Sequence, residues 1–238
     1  MKQWIFCVLF SSWSISAVCQ FGLSINQNIN DFSSWDERAS TALGSDINLF
    51  TNGQEIGLDY WLRLKNVRIE LLPQLAYSRS RTDIQGDIYV DGYALDQAHL
   101  NFNTNFYFLD FKDDCDCPTF SKQGNFFTKG FFLQLSPGLA YSMEKMNYVP
   151  ATAEAKSTTD LSYKIGVGLG LDIGLTDLFT ITPIARINWY PSVNWENFDL
   201  IHFDAIIGGS TANETVIRQI QFGIRIGFRP DYSNNRRR

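Results

Sequence analysis

Residues 161–175 alternate without a break between large apolar residues and small or polar ones. Leucine, isoleucine, valine or tyrosine occupies every odd-numbered position, and glycine, serine, Lys164 or Asp172 every even-numbered one. A period of two residues is typical of a β-strand with one apolar face. At about 3.3 Å per residue the strand would be roughly 50 Å long, whereas a tilted strand crosses a bilayer with roughly 9–11 residues. This stretch is therefore long enough to span a membrane.

The polar face of this strand indicates which side meets lipid. Lys164 and Asp172 share that face with a column of glycines. Charged side chains are costly in hydrocarbon, and glycines suit the crowded interior of a narrow barrel. We therefore predict that the apolar face contacts lipid and the glycine face lines the lumen of a transmembrane β-barrel.

Length and charge limit the remaining possibilities. The chain has 238 residues, enough for one sizeable domain. After the amino terminus it has no run of 18 or more apolar residues, which argues against helical membrane spans. Its net charge of −5 argues against a nucleic-acid partner, which would need a basic face.

Residues 1–19 have the features of a secretory signal peptide. Lys2 supplies the positive end, residues 4–15 are mostly apolar, and Ala17, Val18 and Cys19 offer a cleavage site. Cleavage would leave Gln20 as the mature terminus. A rival interpretation makes Cys19 a lipidated residue, although its surroundings fit a lipoprotein cleavage box poorly.

The alternating pattern recurs in seven further stretches, and the connections between stretches are alternately long and short. Barrels of the outer membrane have long extracellular loops and short periplasmic turns. The sequence thus predicts an all-β fold, an eight-stranded antiparallel up-and-down transmembrane β-barrel over residues 20–229, with both termini periplasmic and a basic periplasmic tail at 230–238. The other strands are predicted at 21–29, 55–64, 67–78, 97–111, 130–144, 179–190 and 216–229. The predicted extracellular loops are 31–53, 83–95, 146–158 and 191–214. The first of these loops has room for a short helical turn at 35–43.

Aromatic residues at the two ends of the outward faces support this topology. Membrane barrels carry a girdle of aromatic side chains at each interface. The outward register between the girdles contains one charge, Arg218, near the outer rim. The predicted girdle residues are Tyr77, Tyr141, Tyr163 and Trp189 on the extracellular side and Phe108, Phe131, Phe179 and Phe228 on the periplasmic side.

The inward faces carry nearly balanced charges, which we predict to form a charge network in the lumen. Unpaired charges would be costly there, and an eight-stranded barrel is just wide enough for side chains to fill it. The prediction is a filled lumen, and the alternative is an ion gate or small pore. The predicted network comprises Glu55, Asp59, Arg63, Arg68, Glu70, Glu144, Lys164, Asp172, Arg186 and Arg225.

Cys115 and Cys117 lie in the one periplasmic connection that is too long for a turn. They could form a disulfide in an oxidising compartment, bind a metal or brace the loop, and the loop could dock a periplasmic partner. A metal needs more ligands than two cysteines, and only aspartates lie nearby. We therefore favour the disulfide and predict no metal and no cofactor.

His99 and His202 are the only histidines, and both are predicted on the outer-rim side. Barrel enzymes use such residues, but no nucleophile motif surrounds either one. The sequence therefore predicts that the protein is not an enzyme.

With its signal, its eight alternating stretches and a closing strand that ends at Phe228, the chain resembles the small outer-membrane β-barrels of Gram-negative bacteria. It resembles most the PorT-like outer-membrane β-barrel domain proteins of Bacteroidetes. The resemblance implies contact with outer-membrane lipid and with the barrel assembly machinery, which reads a terminal aromatic. Here the chain departs from the pattern, because residues 229–238 follow Phe228.

These observations predict a non-enzymatic outer-membrane protein with a structural or interaction role. The extracellular loops and the cysteine loop would contact a cell-surface or periplasmic protein. The alternatives are a narrow channel or transport-accessory barrel and a barrel enzyme. A soluble lipocalin-like barrel, with its apolar face turned inward, is the rival fold.

Overall fold

The computed structural model describes residues 20–43, 48–64, 67–83, 90–110, 126–148, 156–176, 178–195 and 214–228. Two helices, α1 (Ser33–Leu43) and α2 (Phe126–Gly130), and a 3₁₀ turn at Phe108–Asp110 accompany the strands. No helix in these ranges is both long enough and apolar enough to cross a membrane. The long strands are β1 (Phe21–Asp31), β2 (Asn52–Tyr60), β3 (Ile69–Asp83), β4 (Val90–Phe106), β5 (Phe131–Tyr148), β6 (Lys156–Leu171), β7 (Phe179–Asn194) and β8 (Glu214–Phe228).

The eight strands form one closed antiparallel barrel. Each strand pairs with the next in the sequence, and β8 pairs back onto β1 from Phe21↔Phe228 to Asp31↔Arg218. Closure leaves no free sheet edge. The predicted eight-stranded up-and-down barrel is confirmed.

The faces of the barrel are the reverse of those of a soluble protein. Leu75 and Leu161 on the outside are each 66% exposed, whereas Glu144 on the inside is fully buried. Outward positions are mostly apolar and inward positions mostly polar along each strand. A lipocalin-like barrel requires the opposite arrangement, so that alternative is wrong.

The strand boundaries differ from the predicted ones at most strand ends; β3, β5 and β7, for example, continue to Asp83, Tyr148 and Asn194. β4 begins at Val90, so residues 90–95 of the predicted loop 83–95 are part of the barrel wall. The predicted strand 161–175 begins earlier and is interrupted at Asp172, whose N–H donates to the Gly130 carbonyl at 2.9 Å. The predicted strand 55–64 is interrupted at Trp61, whose N–H donates to the Gln20 carbonyl at 2.9 Å. Both hydrogen bonds continue the register of the neighbouring pair, because Tyr60 pairs with Phe21 and Leu171 with Phe131.

The glycine column of β6 makes room for side chains from neighbouring strands. A Cβ atom on Gly170 would lie 2.1 Å from the Phe132 ring. A Cβ atom on Gly166 would lie 2.2 Å from Asn188 Oδ1 and 3.0 Å from Arg186 Cδ. The column is therefore a structural requirement of the filled interior.

We expect Gly170→Ala to lower the free energy of unfolding by about 1–3 kcal/mol, the usual cost of overpacking a filled core. Urea unfolding of the barrel in lipid vesicles measures this loss. Because the added methyl group collides with Phe132, Gly170→Ala combined with Phe132→Leu should cost less than the two single substitutions added together. A Gly170→Ala variant as stable as the parent would contradict this packing.

Candidate functional site

The end of the lumen opposite Phe21 and Phe228 is closed by a cluster of buried apolar side chains, which we call the mouth plug. Helix α1 and the residues just before β2 fold inward, and they meet Trp195 and the inward positions at the outer ends of the strands. Trp35, Leu49 and Phe50 are fully buried although they lie between strands. The mouth plug consists of Phe32, Trp35, Ala39, Leu49, Phe50, Tyr93, Leu95, Ala140, Tyr190, Val193, Trp195 and Ile217.

Aromatic contacts join the two segments that form the plug, one between β1 and β2 and the other at the end of β7. The Trp35 ring lies edge-on to Trp195 with ring centroids 5.4 Å apart and stacks on Phe32 at 5.4 Å. Tyr93 of β4 approaches Trp195 edge-on at 5.6 Å. The predicted helical turn at 35–43 is a helix from Ser33 to Leu43, and much of the predicted loop surface 31–53 is turned into the barrel.

Hydrogen bonds fix the plug to the barrel wall at Phe50. Its N–H donates to Thr82 Oγ1 at 2.6 Å, and its carbonyl accepts from Asn30 Nδ2 at 2.7 Å. Phe50 has a φ of 51°, a conformation that costs about 1–3 kcal/mol and persists only when surrounding contacts hold it. The Asp36 carboxylate accepts from the Leu49 N–H at 2.7 Å, and burial raises the pKa of Asp36 above its ordinary 3.8.

Beneath the plug lies a group of four buried polar residues, which we call the upper lumen cluster: Glu55, His99, Lys164 and Arg186. Asn26 Nδ2 donates to Glu55 Oε1 at 2.8 Å. His99 Nε2 lies 2.9 Å from Ser78 Oγ and 3.8 Å from Glu55 Oε2. The His99 ring is buried inside the barrel, on the inward face of β4.

The two cations of this cluster use little of their hydrogen-bonding capacity. Arg186 Nη2 donates to Gln134 Oε1 at 2.6 Å. Lys164 Nζ lies 5.7 Å from the centre of the Tyr190 ring. Within the part of the chain that the structure describes, Lys164 Nζ, Arg186 Nε and Nη1, Glu55 Oε2 and His99 Nδ1 have no hydrogen-bond partner.

Below this cluster, amide and hydroxyl side chains cross the lumen as a belt centred on Gln74. Its Oε1 accepts from Asn101 Nδ2 at 3.0 Å and from Asn103 Nδ2 at 3.1 Å. Its Nε2 donates to Ser24 Oγ at 3.0 Å, and Ser136 Oγ donates to Asn103 Oδ1 at 2.5 Å. The sequence placed the asparagines inward but contained no sign that they join into one network.

Farther from the mouth plug lies a bidentate ion pair. Arg225 donates from Nε to Asp59 Oδ2 at 2.8 Å and from Nη2 to Asp59 Oδ1 at 2.6 Å. The guanidinium also lies 5.0 Å from the centre of the Trp61 ring. Both charged side chains are buried, so water screens this pair little.

The end of the lumen near Phe21 and Phe228 is filled by a cluster around Tyr107. Its hydroxyl donates to Glu70 Oε2 at 2.7 Å and also lies against Asp172 Oδ2, while Thr182 donates to Asp172 Oδ1. The Arg68 guanidinium lies 4.9 Å from the centre of the Tyr107 ring, and its Nη2 donates to the Lys129 carbonyl at 2.6 Å. The sequence analysis did not single out Tyr107.

The predicted lumen charges are all buried inside the barrel, except Arg63, whose side chain lies outside the described part of the structure. Arg225 and Asp59 form a direct pair, whereas Lys164 and Arg186 make no hydrogen bond to a carboxylate among the described residues. Glu144 accepts from Thr158 Oγ1 at 3.4 Å near the plug.

The predicted girdle residues lie on the outer surface at two levels. The extracellular four and Phe108 and Phe179 are exposed, whereas Phe131 and Phe228 are half-buried because they pack against other aromatic rings. Beyond the tyrosine level, the longer strands add outward charges at Arg79, Arg81, Asp96 and Lys145. Asp96 pairs with Arg79 at 3.3 Å and with Lys145 at 3.6 Å.

Several predicted features lie outside the described residues: the signal at 1–19, the tail at 230–238, His202, and Cys115 with Cys117. In the described ranges, no group of three or more histidine, cysteine, aspartate or glutamate side chains is placed to hold a metal ion.

No protein-family model matches the chain, and no curated protein matches it in sequence. Among solved structures it is similar to Neisserial surface protein A, with 11% identity and a TM-score of 0.46 over 88% of this chain and 96% of that one. It is similar to Ail, the attachment invasion locus protein of Yersinia pestis, with 10% identity and a TM-score of 0.45 over 89% and 98%. A major outer membrane protein from Thermus thermophilus gives 9% identity and a TM-score of 0.42 over 87% and 99%. The barrel assignment rests on the closed strand pairing and not on these similarities.

Proposed function

We propose that this protein is a non-enzymatic barrel of the outer membrane with a closed lumen and a structural or interaction role at the cell surface. The observation that carries the proposal is the combination of an apolar outer wall between two aromatic levels with an interior filled from end to end. Such a molecule has a face for lipid and a closed end for partners, and no open passage or exposed catalytic group among its described residues.

The membrane location is supported by the outer wall. One aromatic level consists of tyrosines and a tryptophan, and the other consists of phenylalanines. Between these two levels, exposed side chains such as Leu75, Ile187 and Phe222 are apolar. A soluble protein rarely exposes an apolar surface this extensive. Arg79, Arg81 and Lys145 follow above the tyrosine level, at the height where lipid headgroups would lie.

The orientation is supported by the turns. At the phenylalanine end, β6 and β7 are joined by a tight turn in which Thr176 Oγ1 accepts from the N–H groups of Leu178 and Phe179 at 3.2 and 3.0 Å. Of the three longest connections, 32–51 and 195–213 leave from the plugged end, and 107–130 leaves from the phenylalanine end. Short turns face the periplasm in barrels of this kind, so we place both termini in the periplasm.

The alternative functions have less support. A channel would have to pass the mouth plug, the amide belt and the Arg225–Asp59 pair in series. An enzyme acting through His99 would have to bring its substrate to a ring that is 2% exposed beneath the plug. Outer-membrane lipid, the assembly machinery and a cell-surface or periplasmic protein are the partners we propose.

Two measurements test this function. Unboiled protein from washed outer membranes should migrate as a compact, fast band that shifts on boiling, and purified protein in planar bilayers should give no steady conductance. Protein that washes off without a shift would contradict the membrane location. A steady conductance that changes in Arg186→Gln would instead favour the channel.

A further inference from the structure

We propose that the upper lumen cluster binds one small monovalent anion, of the halide class, between Lys164 and Arg186. The proposal concerns the interior of the barrel and does not depend on its role at the cell surface. Its basis is the presence of two buried cations, with several unpaired N–H donors, against one carboxylate in this part of the lumen.

The two cations are buried and leave most of their hydrogen-bond donors unpaired. Lys164 is 1% exposed and Arg186 is 4% exposed. An ammonium group is a donor only, and a guanidinium likewise. Arg186 donates one hydrogen bond, from Nη2 to Gln134. The other donors, Lys164 Nζ and Arg186 Nε and Nη1, have no acceptor among the described residues. Buried donors of this kind are rarely left unsatisfied.

The positive charges of Lys164 and Arg186 outnumber the carboxylates of the cluster. Glu55 is the carboxylate that interacts electrostatically with both Lys164 and Arg186. Its Oε1 accepts from Asn26, and its Oε2 accepts no hydrogen bond among the described residues. Another buried carboxylate, Asp59, is paired with Arg225. Two cations against one carboxylate leave a net positive charge. Water can satisfy the free N–H groups, but it cannot neutralise this excess charge, whereas one monovalent anion does both.

Side chains of the plug and of the amide belt surround the cluster. The stem of Arg186 lies flat along β6, where Gly166 and Gly168 have no side chains to displace it. Tyr190 of the mouth plug contacts Lys164 from above, and Asn101 and Ser136 of the amide belt lie beneath. His99 adds a further polar ring to the wall. Such a closed, side-chain-lined compartment suits a compact ion better than a bulky anion.

Thermal unfolding in detergent micelles tests this site. The unfolding midpoint of the full barrel should rise with chloride or bromide and not with gluconate at equal ionic strength. The rise should reach about 5 °C or more when the halide is at a hundred times its dissociation constant. Lys164→Met should abolish the halide dependence. The matched control is Lys145→Met, at a half-buried lysine of the outer wall that pairs with Asp96, and this variant should retain the dependence in full.

Diffraction from crystals of the parent protein soaked in bromide provides a second test that needs no variant to fold. We expect an anomalous peak inside the barrel, within hydrogen-bonding distance of Lys164 Nζ and Arg186. Bromide confined to surface lysines and arginines, or equal midpoints in chloride and gluconate, would overturn the proposal and leave a lumen that holds water alone. Those outcomes would leave the heat-shift and conductance tests of the proposed function unaffected.

Discussion

Replacing Asp59 by alanine should lower the free energy of unfolding by about 3–5 kcal/mol, the typical cost of breaking a buried ion pair by removing one partner. The substitution leaves the Arg225 guanidinium, which is 6% exposed in its side chain, without the carboxylate that accepts two of its hydrogen bonds. Urea unfolding in phospholipid vesicles, followed by tryptophan fluorescence, measures the loss.

Two controls separate the lost pair from other effects of the substitution. Asp31→Ala removes a carboxylate from the exposed end of β1 and should change stability by about 0.5 kcal/mol or less. The double substitution Asp59→Leu with Arg225→Met removes both charges and should recover most of the loss, because apolar residues of similar volume often replace a buried pair without cost. If Asp59→Ala and Asp31→Ala are equally stable, the pair does not hold the barrel together.

The fold could be predicted from the sequence because its dominant signal is local. A strand places successive side chains on opposite faces, so Lys164 and Arg186 face the lumen whatever strands surround them. Closure also follows from a local count, since eight amphipathic strands with alternately long and short connections suit an up-and-down barrel. These predictions needed no knowledge of contacts between distant residues.

The pairing of the lumen charges could not be predicted in the same way. Near balance in the number of inward charges suggested that they would neutralise one another. Which charges meet across the lumen depends on the register between strands, and that register places Arg225 beside Asp59 while Lys164 receives no carboxylate within hydrogen-bonding distance. Sequence counts carry no information on height within the barrel.

The mouth plug was missed although part of its signal was present. Trp35 and Phe50 lie in stretches of polar composition without a period, which is why those stretches were predicted as loop. At the outer ends of three strands, however, the inward positions become apolar, at Leu95, Tyr190 and Ile217. Apolar residues at one level of an otherwise polar lumen indicate an apolar partner, and that partner had to come from the connections.

The plug allows a second large effect to be predicted. Trp35→Ala should remove a fully buried ring that packs on Phe32 and Trp195, and truncation of a buried tryptophan costs about 3–5 kcal/mol. We expect the loss of stability to be confined to the plug, because Trp35 takes no part in the pairing of strands β1 to β8. The variant should therefore remain heat-modifiable on gels.

Trypsin digestion of the folded protein in vesicles locates the effect. Cleavage after Arg38 in α1 should be slow in the parent and at least about tenfold faster in Trp35→Ala, because a destabilisation of about 1.4 kcal/mol already raises the open population tenfold. Trp35→Phe keeps an aromatic ring in the plug and should lie between the two, while Ser34→Ala, at the exposed neighbouring position, should match the parent. Rapid cleavage after Arg38 in the parent itself would contradict a closed mouth. Equal protection in Trp35→Ala would mean that the hydrogen bonds at Phe50, rather than aromatic packing, hold the plug in place.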